Sequence, residues 1–280
     1  MQQEFSEQLL AIAVERRGAL AALAREPHHR EELETELDVS KTTCHRIVRT
    51  FDDRGLLGRT DSGYVLTPLG ELLSDLVGEF ESSARLAYRL EPLVTQLNEA
   101  GIEFELDQFR EATITEPEPG DPYPFADRTM ELFRDSETIR VIDCNPLVPP
   151  VYVEKMLEIA LDTGMRGEFV VTPEIALGNT QEFPELQRQV AESDDAAGHY
   201  LIAEDIEFGM ALYDSHLDLR VYDEEIGTPV LYVDTDDPAA IEWGESLYER
   251  YRERADPASS LDEYPDWAPE TPLEPPTSTH

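Results

Sequence analysis

A short amphipathic segment, KTTCHRIVRTFDDR, constrains the fold of this chain more than any other stretch of its sequence. Ser40, just before it, is a favourable helix N-cap, and Gly55, just after it, suits the left-handed conformation that ends many helices. We therefore expect a helix that runs from the residue after Ser40 to about Arg54. Its apolar residues recur at helical spacing and share one face: Cys44, Ile47, Val48 and Phe51.

The elements on either side of this helix narrow the fold further. Apolar periodicity predicts helices over 8–24 and 30–37 before it. Two short strands, 56–59 and 64–67, follow it and are joined by the turn sequence TDSG. Another helix begins at Pro68, because proline is well accepted in the first helical turn. Three helices followed by a hairpin and a fourth helix predict a winged helix-turn-helix.

Basic residues gather on the third helix and the hairpin, although the chain has a formal charge of −39. Arginine and lysine reach guanine O6 and N7 in the major groove of DNA, and threonine can contact thymine. The alternative is a solvated basic face on a winged helix that binds a partner protein. The candidate DNA contacts are Lys41, Thr42, Thr43, His45, Arg46 and Arg49 on the helix, with Arg59 and Tyr64 in the wing.

The segment VSKTTCHRIVRTFDDRGLL, followed by YVLTPLG, resembles the DNA-binding half of archaeal winged-helix transcription regulators of the methanogenesis-regulatory-protein type. The stretches that begin FADRTMELFRDSETIRVIDCNPLVPP and FGMALYDSHLDLRVYDEE are similar to the C-terminal effector domain of that family. The resemblance covers most of 6–255. It implies that the first domain binds operator DNA and that the second binds a small-molecule effector or mediates assembly.

Helix and strand signals alternate in the second half of the chain and then give way to consecutive strands. This order predicts an α/β (α+β) architecture with a mixed sheet. The expected strands are 102–108, 138–143, 166–172, 200–203, 207–213, 218–222 and 230–234, and the expected helices are 125–134, 151–161, 183–193 and 239–254. The expected domains are a winged helix at 1–75, a connecting or dimerisation helix at 76–100, an effector domain at 101–255 and a disordered, acidic, proline-rich tail at 256–280.

A narrow apolar stripe follows the helix that begins at Pro68. The stripe is either the seam of a homodimer or a surface that packs on its own domain. DNA-binding dimers match two half-sites, which favours the seam. Its members recur every three or four residues: Leu69, Leu73, Leu76, Phe80, Ala87 and Leu90.

Polar residues follow two predicted strands at the point where open α/β sheets bind their ligands. The sequence VIDCNP ends one strand with Asp143, Cys144 and Asn145, and Thr172 and Glu174 follow the next strand. These five residues are the candidate effector site. The alternative is a polar strand-to-loop transition without a function.

Motifs for catalysis are missing from the sequence. There is no nucleophile elbow, P-loop, dinucleotide fingerprint or zinc-binding His-Glu-X-X-His. The strand order resembles the phospholipase D-like fold, but the His-X-Lys pair of that family is absent. We therefore expect a regulator that is not an enzyme and that has neither a cofactor nor a metal. A third reading, an acidic hydrolase with an appended DNA-binding module, has the least support.

The amino-acid composition indicates the environment in which we expect the protein to work. Sixty-one acidic residues stand against 22 basic ones, of which only Lys41 and Lys155 are lysines. This surface suits an extreme halophile, because molar salt screens its self-repulsion. An acidic protein from a mesophile is the alternative. Nothing resembles a signal peptide or a membrane span, so we expect a cytoplasmic protein.

Overall fold

The computed structural model describes residues 2–117, 120, 124–143, 150–173, 175–176, 185, 189, 198–203, 206–223 and 229–257. Internal contacts divide the chain into two compact units. The first unit comprises Met1–Tyr88, and the second begins at Arg89. Within the described residues, no helix is both long enough and apolar enough to cross a membrane.

The first unit has the order of a winged helix. The break between its first two helices falls at Arg16, so the predicted single helix over 8–24 is wrong on this point. Its elements are α1 (Gln2–Glu15), α2 (Arg17–Arg25), α3 (Arg30–Glu36), α4 (Lys41–Asp53), β1 (Leu57–Thr60), β2 (Gly63–Leu66) and α5 (Pro68–Arg89).

Local signals explain how α3 and the wing begin and end. The backbone N–H of His29 donates to a Glu32 carboxylate oxygen at 2.6 Å, which caps α3. The wing pairs Leu57 with Leu66 and Thr60 with Gly63, leaving a two-residue turn. A further bridge joins His28 to Tyr64 through both backbone groups, at 3.1 and 2.8 Å. The wing is thus fastened to the segment that precedes α3.

One hydrophobic core holds the first unit together. It takes side chains from every helix of the unit and from both strands of the wing. The predicted apolar face of α4 lies in this core, which confirms Cys44 as a core residue and not an exposed thiol. Its fully or almost fully buried members include Ala13, Leu20, Ala22, Leu33, Cys44, Phe51 and Leu56.

The second unit is an eight-stranded mixed sheet with helices on both faces. The strand order is β10-β6-β5-β4-β7-β8-β9-β3. Pairs β4–β5 and β5–β6 are parallel, and the other pairs are antiparallel. Its elements are α6 (Glu91–Glu99), a 3-10 turn (Leu106–Phe109), β3 (Thr113–Thr115), α7 (Ala126–Arg134), β4 (Thr138–Asp143), α8 (Pro150–Thr163), β5 (Arg166–Val171), β6 (Gly198–Leu201), β7 (Phe208–Leu212), β8 (Leu217–Tyr222), β9 (Pro229–Thr235), α9 (Pro238–Arg252) and β10 (Asp256–Pro257).

Different helices cover the two faces of the sheet. Helices α7 and α8 pack on one face, where Leu132 and Phe133 meet Ile139 and Val141. Helix α9 contacts β4, β7 and β8, and α6 contacts β7 and β8. Apolar side chains therefore bury both sides of the central strands, as a sheet between two helical layers requires.

One element predicted for the second unit is wrong, and two predicted segments lie largely outside the described residues. The strand predicted over 102–108 is wrong, because Leu106–Phe109 forms a 3-10 turn in which Phe109 stacks on Phe104 at 4.8 Å. Trp243 of α9 meets both rings edge-on, so aromatic packing sets this segment. The predicted helix over 183–193 lies largely outside the described residues, as does the predicted tail beyond 257.

Candidate DNA-binding surface and effector site

Helix α4 presents its predicted DNA contacts on the side opposite its buried face. The helix begins cleanly, because the Ser40 hydroxyl accepts a hydrogen bond from the backbone N–H of Thr43 at 3.3 Å. Its buried residues lie in the core, so the remaining face is free for solvent or a ligand. The exposed side chains on that face are Lys41, Thr42, His45, Arg46 and Arg49.

Thr43 stands apart from the other candidates on α4. Its hydroxyl lies 3.0 Å from the Ser40 hydroxyl, and the side chain is only partly exposed. The threonine is therefore engaged in the helix cap. This hydrogen bond competes with any contact between Thr43 and a base.

The cations of this surface fall into two groups. Arg49 lies 3.8 Å from Asp53 one turn away on α4, and Arg59 of β1 lies 3.6 Å from Asp52. Among the residues that the structure describes, Lys41 and Arg46 have no carboxylate partner. The unpaired cations are on the N-terminal half of α4, which is the part of a recognition helix that contacts base edges.

The wing holds Arg59 and Tyr64 side by side. The two residues are register partners across the hairpin, and the guanidinium of Arg59 lies 5.5 Å from the centre of the Tyr64 ring. The turn needs Gly63, whose φ is +117°, because a Cβ there would collide with the backbone of His28. The two predicted wing residues are thus brought together.

Sequence reasoning did not identify the partners of these arginines. The four-residue spacing of Arg49 and Asp53 was a usable signal for an ion pair on one helix face. The contact between Asp52 and Arg59 depends on how the hairpin folds back, which no local pattern reveals. Arg54, the fifth cation of this region, donates to the Gln8 side chain at 3.1 Å.

In the second unit, the structure describes only part of the predicted effector site. Asp143 is the last residue of β4, and Thr172 directly follows β5, its parallel neighbour. Both are partly exposed. Cys144, Asn145 and Glu174 lie outside the described residues.

A buried polar cluster, which sequence reasoning missed, lies on the sheet face that α7 covers. Nη2 of Arg220 is 2.8 Å from Oδ1 and 2.9 Å from Oδ2 of Asp218, and the Tyr213 hydroxyl donates to the same Oδ2 at 2.9 Å. Arg128 of α7 reaches Asp234 of β9 with two nitrogens, at 3.2 and 3.4 Å. Arg128 thus ties α7 to β9, and Tyr213 ties the end of β7 to β8.

The cluster strongly shifts the ionisation of its members. Burial by itself would lower the pKa of Arg220, but the charge of Asp218, with smaller contributions from Tyr222, Tyr213 and Asp143, outweighs it and holds that pKa well above its ordinary value. Burial, followed by the charge of Asp218, raises the pKa of Tyr213 far above its usual range. Arg220 therefore remains charged and the Tyr213 phenol remains protonated at any physiological pH.

Several buried polar atoms of this region are poorly satisfied among the described residues. Nε of Arg220 has no hydrogen-bond partner there, and the hydroxyls of Tyr232 and Thr129 have none beyond each other. Buried polar groups in proteins are nearly always satisfied, by protein, water or a ligand. Asp143, at the end of β4, is close enough to influence Arg220. The cluster thus connects one residue of the predicted effector site to the centre of the sheet.

Helix α5 exposes a row of large apolar side chains. At 3.6 residues per turn, the row occupies roughly 80° of the helix circumference. Its members are 44–64% exposed and are called the α5 row here: Leu69, Leu72, Leu76 and Phe80. Three residues of the predicted stripe do not belong to it: Leu73 packs on the core of the first unit, Ala87 is not a large side chain, and Leu90 is fully buried beyond the end of α5.

Two family models match the chain. Residues 122–254 match the middle domain of the methanogenesis regulatory protein FilR1. Residues 6–89 match the N-terminal domain of HVO_A0261. No curated protein matches the chain significantly.

Solved structures share only distant similarity with it. TrmBL2, an archaeal chromatin protein, is 12% identical with a TM-score of 0.40, over 85% of this chain and 91% of that chain. NucT from Helicobacter pylori is also 12% identical with a TM-score of 0.40, over 52% of this chain and 98% of that chain. IclR from Thermotoga maritima has a TM-score of 0.22 at 12% identity, over 84% and 93%. Likenesses this distant carry no functional argument.

The chain is a two-unit winged-helix protein. Its first unit is a winged helix with an exposed cationic face, and its second is an α/β unit with a mixed sheet. The two family matches divide the chain in the same way. The two matches together support an archaeal transcription regulator and confirm the resemblance noted in the sequence.

Proposed function

We propose that this transcription regulator binds operator DNA through α4 and the wing. The observation that carries the proposal is the exposed face of α4, where Lys41, His45 and Arg46 lie opposite the core. Arg46 would contact guanine or phosphate, and Lys41 would contact phosphate at the helix N-terminus. Arg59 and Tyr64 would lie along the neighbouring backbone.

The second unit is proposed to bind a small effector at the carboxyl ends of β4 and β5. The support is the position of Asp143 and Thr172, together with the unsatisfied polar atoms near Arg220. An effector that binds one arrangement of the regulator better than another shifts their populations by that difference in affinity. The division of labour follows the expected boundaries, with DNA binding in 1–75 and effector binding in 101–255.

The regulator is further proposed to act as a homodimer that is joined along the α5 row. Contiguous exposed apolar surface on an otherwise charged protein marks an interaction site. A dimer would present two recognition helices to two half-sites of DNA.

The DNA assignment is tested with Arg46→Ala and a matched control, Arg17→Ala. Arg17 is an exposed arginine on α2 that pairs with Glu81 on α5, away from the proposed surface. We expect Arg46→Ala to weaken binding by about 5–150-fold, since one good base contact is worth about 1–3 kcal/mol. The binding site is a duplex that the wild-type protein selects from a randomised pool, and affinity is measured by fluorescence anisotropy. If both variants bind like the wild type, α4 does not read DNA and its face is a platform for a partner protein.

A further inference from the structure

Two carboxylates stand at the end of α4 where helix electrostatics disfavour them. Asp52 and Asp53 are its last two residues, beside carbonyl groups that carry partial negative charge. Both side chains are more than half exposed, so burial does not account for their placement. Each carboxylate instead lies beside an arginine of the proposed surface, Asp53 at 3.8 Å from Arg49 and Asp52 at 3.6 Å from Arg59.

These contacts divide the DNA-binding surface into two halves that differ in charge. On the N-terminal half of α4, Lys41 and Arg46 are unneutralised within the described part of the chain. Arg49 on the C-terminal half and Arg59 in the wing each have a carboxylate beside them. Arg59 is held on its other side by the Tyr64 ring, at 5.5 Å.

We propose that Asp52 and Asp53 set the DNA specificity of this regulator by competing with phosphate for Arg49 and Arg59. The inference rests on the proposed function, in which α4 and the wing contact DNA. An arginine that must leave a carboxylate before it binds phosphate gains little from the exchange. Binding to random DNA depends on phosphate contacts and is therefore suppressed most. Operator binding also draws on base contacts from the N-terminal half, and it is suppressed less.

The test variant is Asp52→Asn/Asp53→Asn, and the control is Asp75→Asn/Glu81→Gln. Both change the net charge by the same amount. Glu81 lies 3.3 Å from Arg17 and 3.1 Å from Arg85, so the control also releases two arginines, but on α2 and α5. The control therefore measures the effect of general charge. Asparagine also suits the end of a helix better than aspartate, so the test variant keeps its fold.

The measurement is the affinity of each protein for the selected operator and for a random-sequence duplex, over a range of KCl concentrations. We expect the test variant to bind random DNA several-fold more tightly than the wild type. The slope of log affinity against log KCl should steepen by up to about 1.8 per chain, since each new phosphate contact adds about 0.9. The ratio of operator to random affinity should fall several-fold, whereas the control should keep the wild-type ratio.

The possible outcomes separate a failure of this inference from a failure of the proposed function on which it rests. If test and control variants change alike, the carboxylates act only through net charge, and the inference is wrong while DNA binding stands. If the wild type selects no operator, the proposed function itself fails. If the test variant keeps the wild-type ratio and slope, Asp52 and Asp53 do not compete with phosphate.

Discussion

Asp218 and Arg220 stand two residues apart on β8 and form an ion pair inside the second unit, with Nη2 of Arg220 2.8 Å from Oδ1 of Asp218. The pair is buried because α7 covers this face of the sheet, with Phe125 stacked 4.9 Å from the Tyr232 ring. Tyr213 donates to the same carboxylate. The charges of the pair are thus satisfied mainly by each other and by one phenol.

Removing one partner of this pair should be costly. Arg220→Met leaves the Asp218 carboxylate buried without its counter-ion, so we expect the free energy of unfolding to fall by about 3–5 kcal/mol. Urea unfolding followed by tryptophan fluorescence measures it, since both tryptophans, Trp243 and Trp267, follow Arg89 in the sequence. Arg140→Met is the control, because its ion pair with Glu245 at 2.7 Å is partly exposed and should cost about 1 kcal/mol or less. Equal losses in the two variants would contradict a special role for the buried pair.

The burial of this ion pair could not be predicted from the sequence. The β8 sequence LDLRVY alternates apolar and polar residues, which predicts one buried face and one solvated face. The position of the strand is predicted correctly. However, Asp218 and Arg220 are buried although the alternation places them on the solvated face. Which helix covers that face depends on tertiary contacts between residues such as Arg128 and Asp234, which are far apart in sequence. Periodicity carries no information about such contacts.

The first unit was more predictable because its signals are local. Each of its main signals depends on residues that are close together in the sequence: the Ser40 cap, the apolar face of α4 and the turn before Gly63. The exposed candidates on α4 follow directly from the same periodicity. The pairing of Arg59 with Asp52 was not predictable, since it joins the wing to a helix through tertiary folding.

Asp214 should make the stability of the second unit depend on pH. Burial by itself would raise the pKa of its carboxyl group, but hydrogen bonds from the Thr138 hydroxyl, at 2.6 Å, and from the backbone N–H groups of Glu137 and Thr138 lower it. Because the pKa of Asp214 is lower in the folded state, its ionisation stabilises the fold at pH values above the pKa of an unfolded aspartate, about 3.9. This contribution is lost as the pH falls through the pKa of the folded state.

We therefore expect Asp214→Asn to reduce the free energy of unfolding by about 1 kcal/mol at neutral pH. The difference from the wild type should shrink as the pH falls below about 4, where Asp214 of the unfolded wild type becomes protonated, and should vanish below the lower pKa of the folded state. Urea unfolding at a series of pH values measures this difference. Asp162→Asn is the control, since that exposed carboxylate lacks a hydrogen-bond partner in the described part of the chain. A difference that stays constant with pH would rule out the ionised carboxylate as its cause.

Two glycines of α5 should respond in opposite ways to alanine. Gly78→Ala adds a Cβ that meets nothing within 4 Å, so the higher helix propensity of alanine should stabilise α5 by about 0.5–1 kcal/mol. Gly70→Ala forces a Cβ against the Leu56 carbonyl oxygen and should destabilise the first unit by about 1–3 kcal/mol. Hydrogen exchange of the α5 amides, measured by mass spectrometry, reports both effects. Slower exchange in Gly70→Ala than in the wild type would overturn the packing of α5 described above.

The salt dependence of DNA binding should be unusually weak. Counterion release normally strengthens binding steeply as salt is removed. Here the cationic surface is small, two of its arginines already face carboxylates, and the whole chain carries −39. Removing KCl from about 1 M to 0.1 M lengthens the Debye length from about 3 to 10 Å, so the acidic surface repels DNA over a longer range. Anisotropy titrations across this range should show no steady gain in operator affinity, and a steady gain would contradict this balance of charges.

The α5 row should control the oligomeric state. Leu76 lies in the middle of the row and is 51% exposed, so Leu76→Glu places a charge in the proposed seam without disturbing the core of the first unit. Sedimentation analysis in about 1 M KCl should show a dimer for the wild type and a monomer for the variant, since salt at that level screens repulsion between the acidic chains. Val151→Glu tests an equally exposed apolar residue in the second unit and should remain dimeric. A dimer that survives Leu76→Glu would move the contact away from α5, and a monomeric wild type would remove the homodimer altogether.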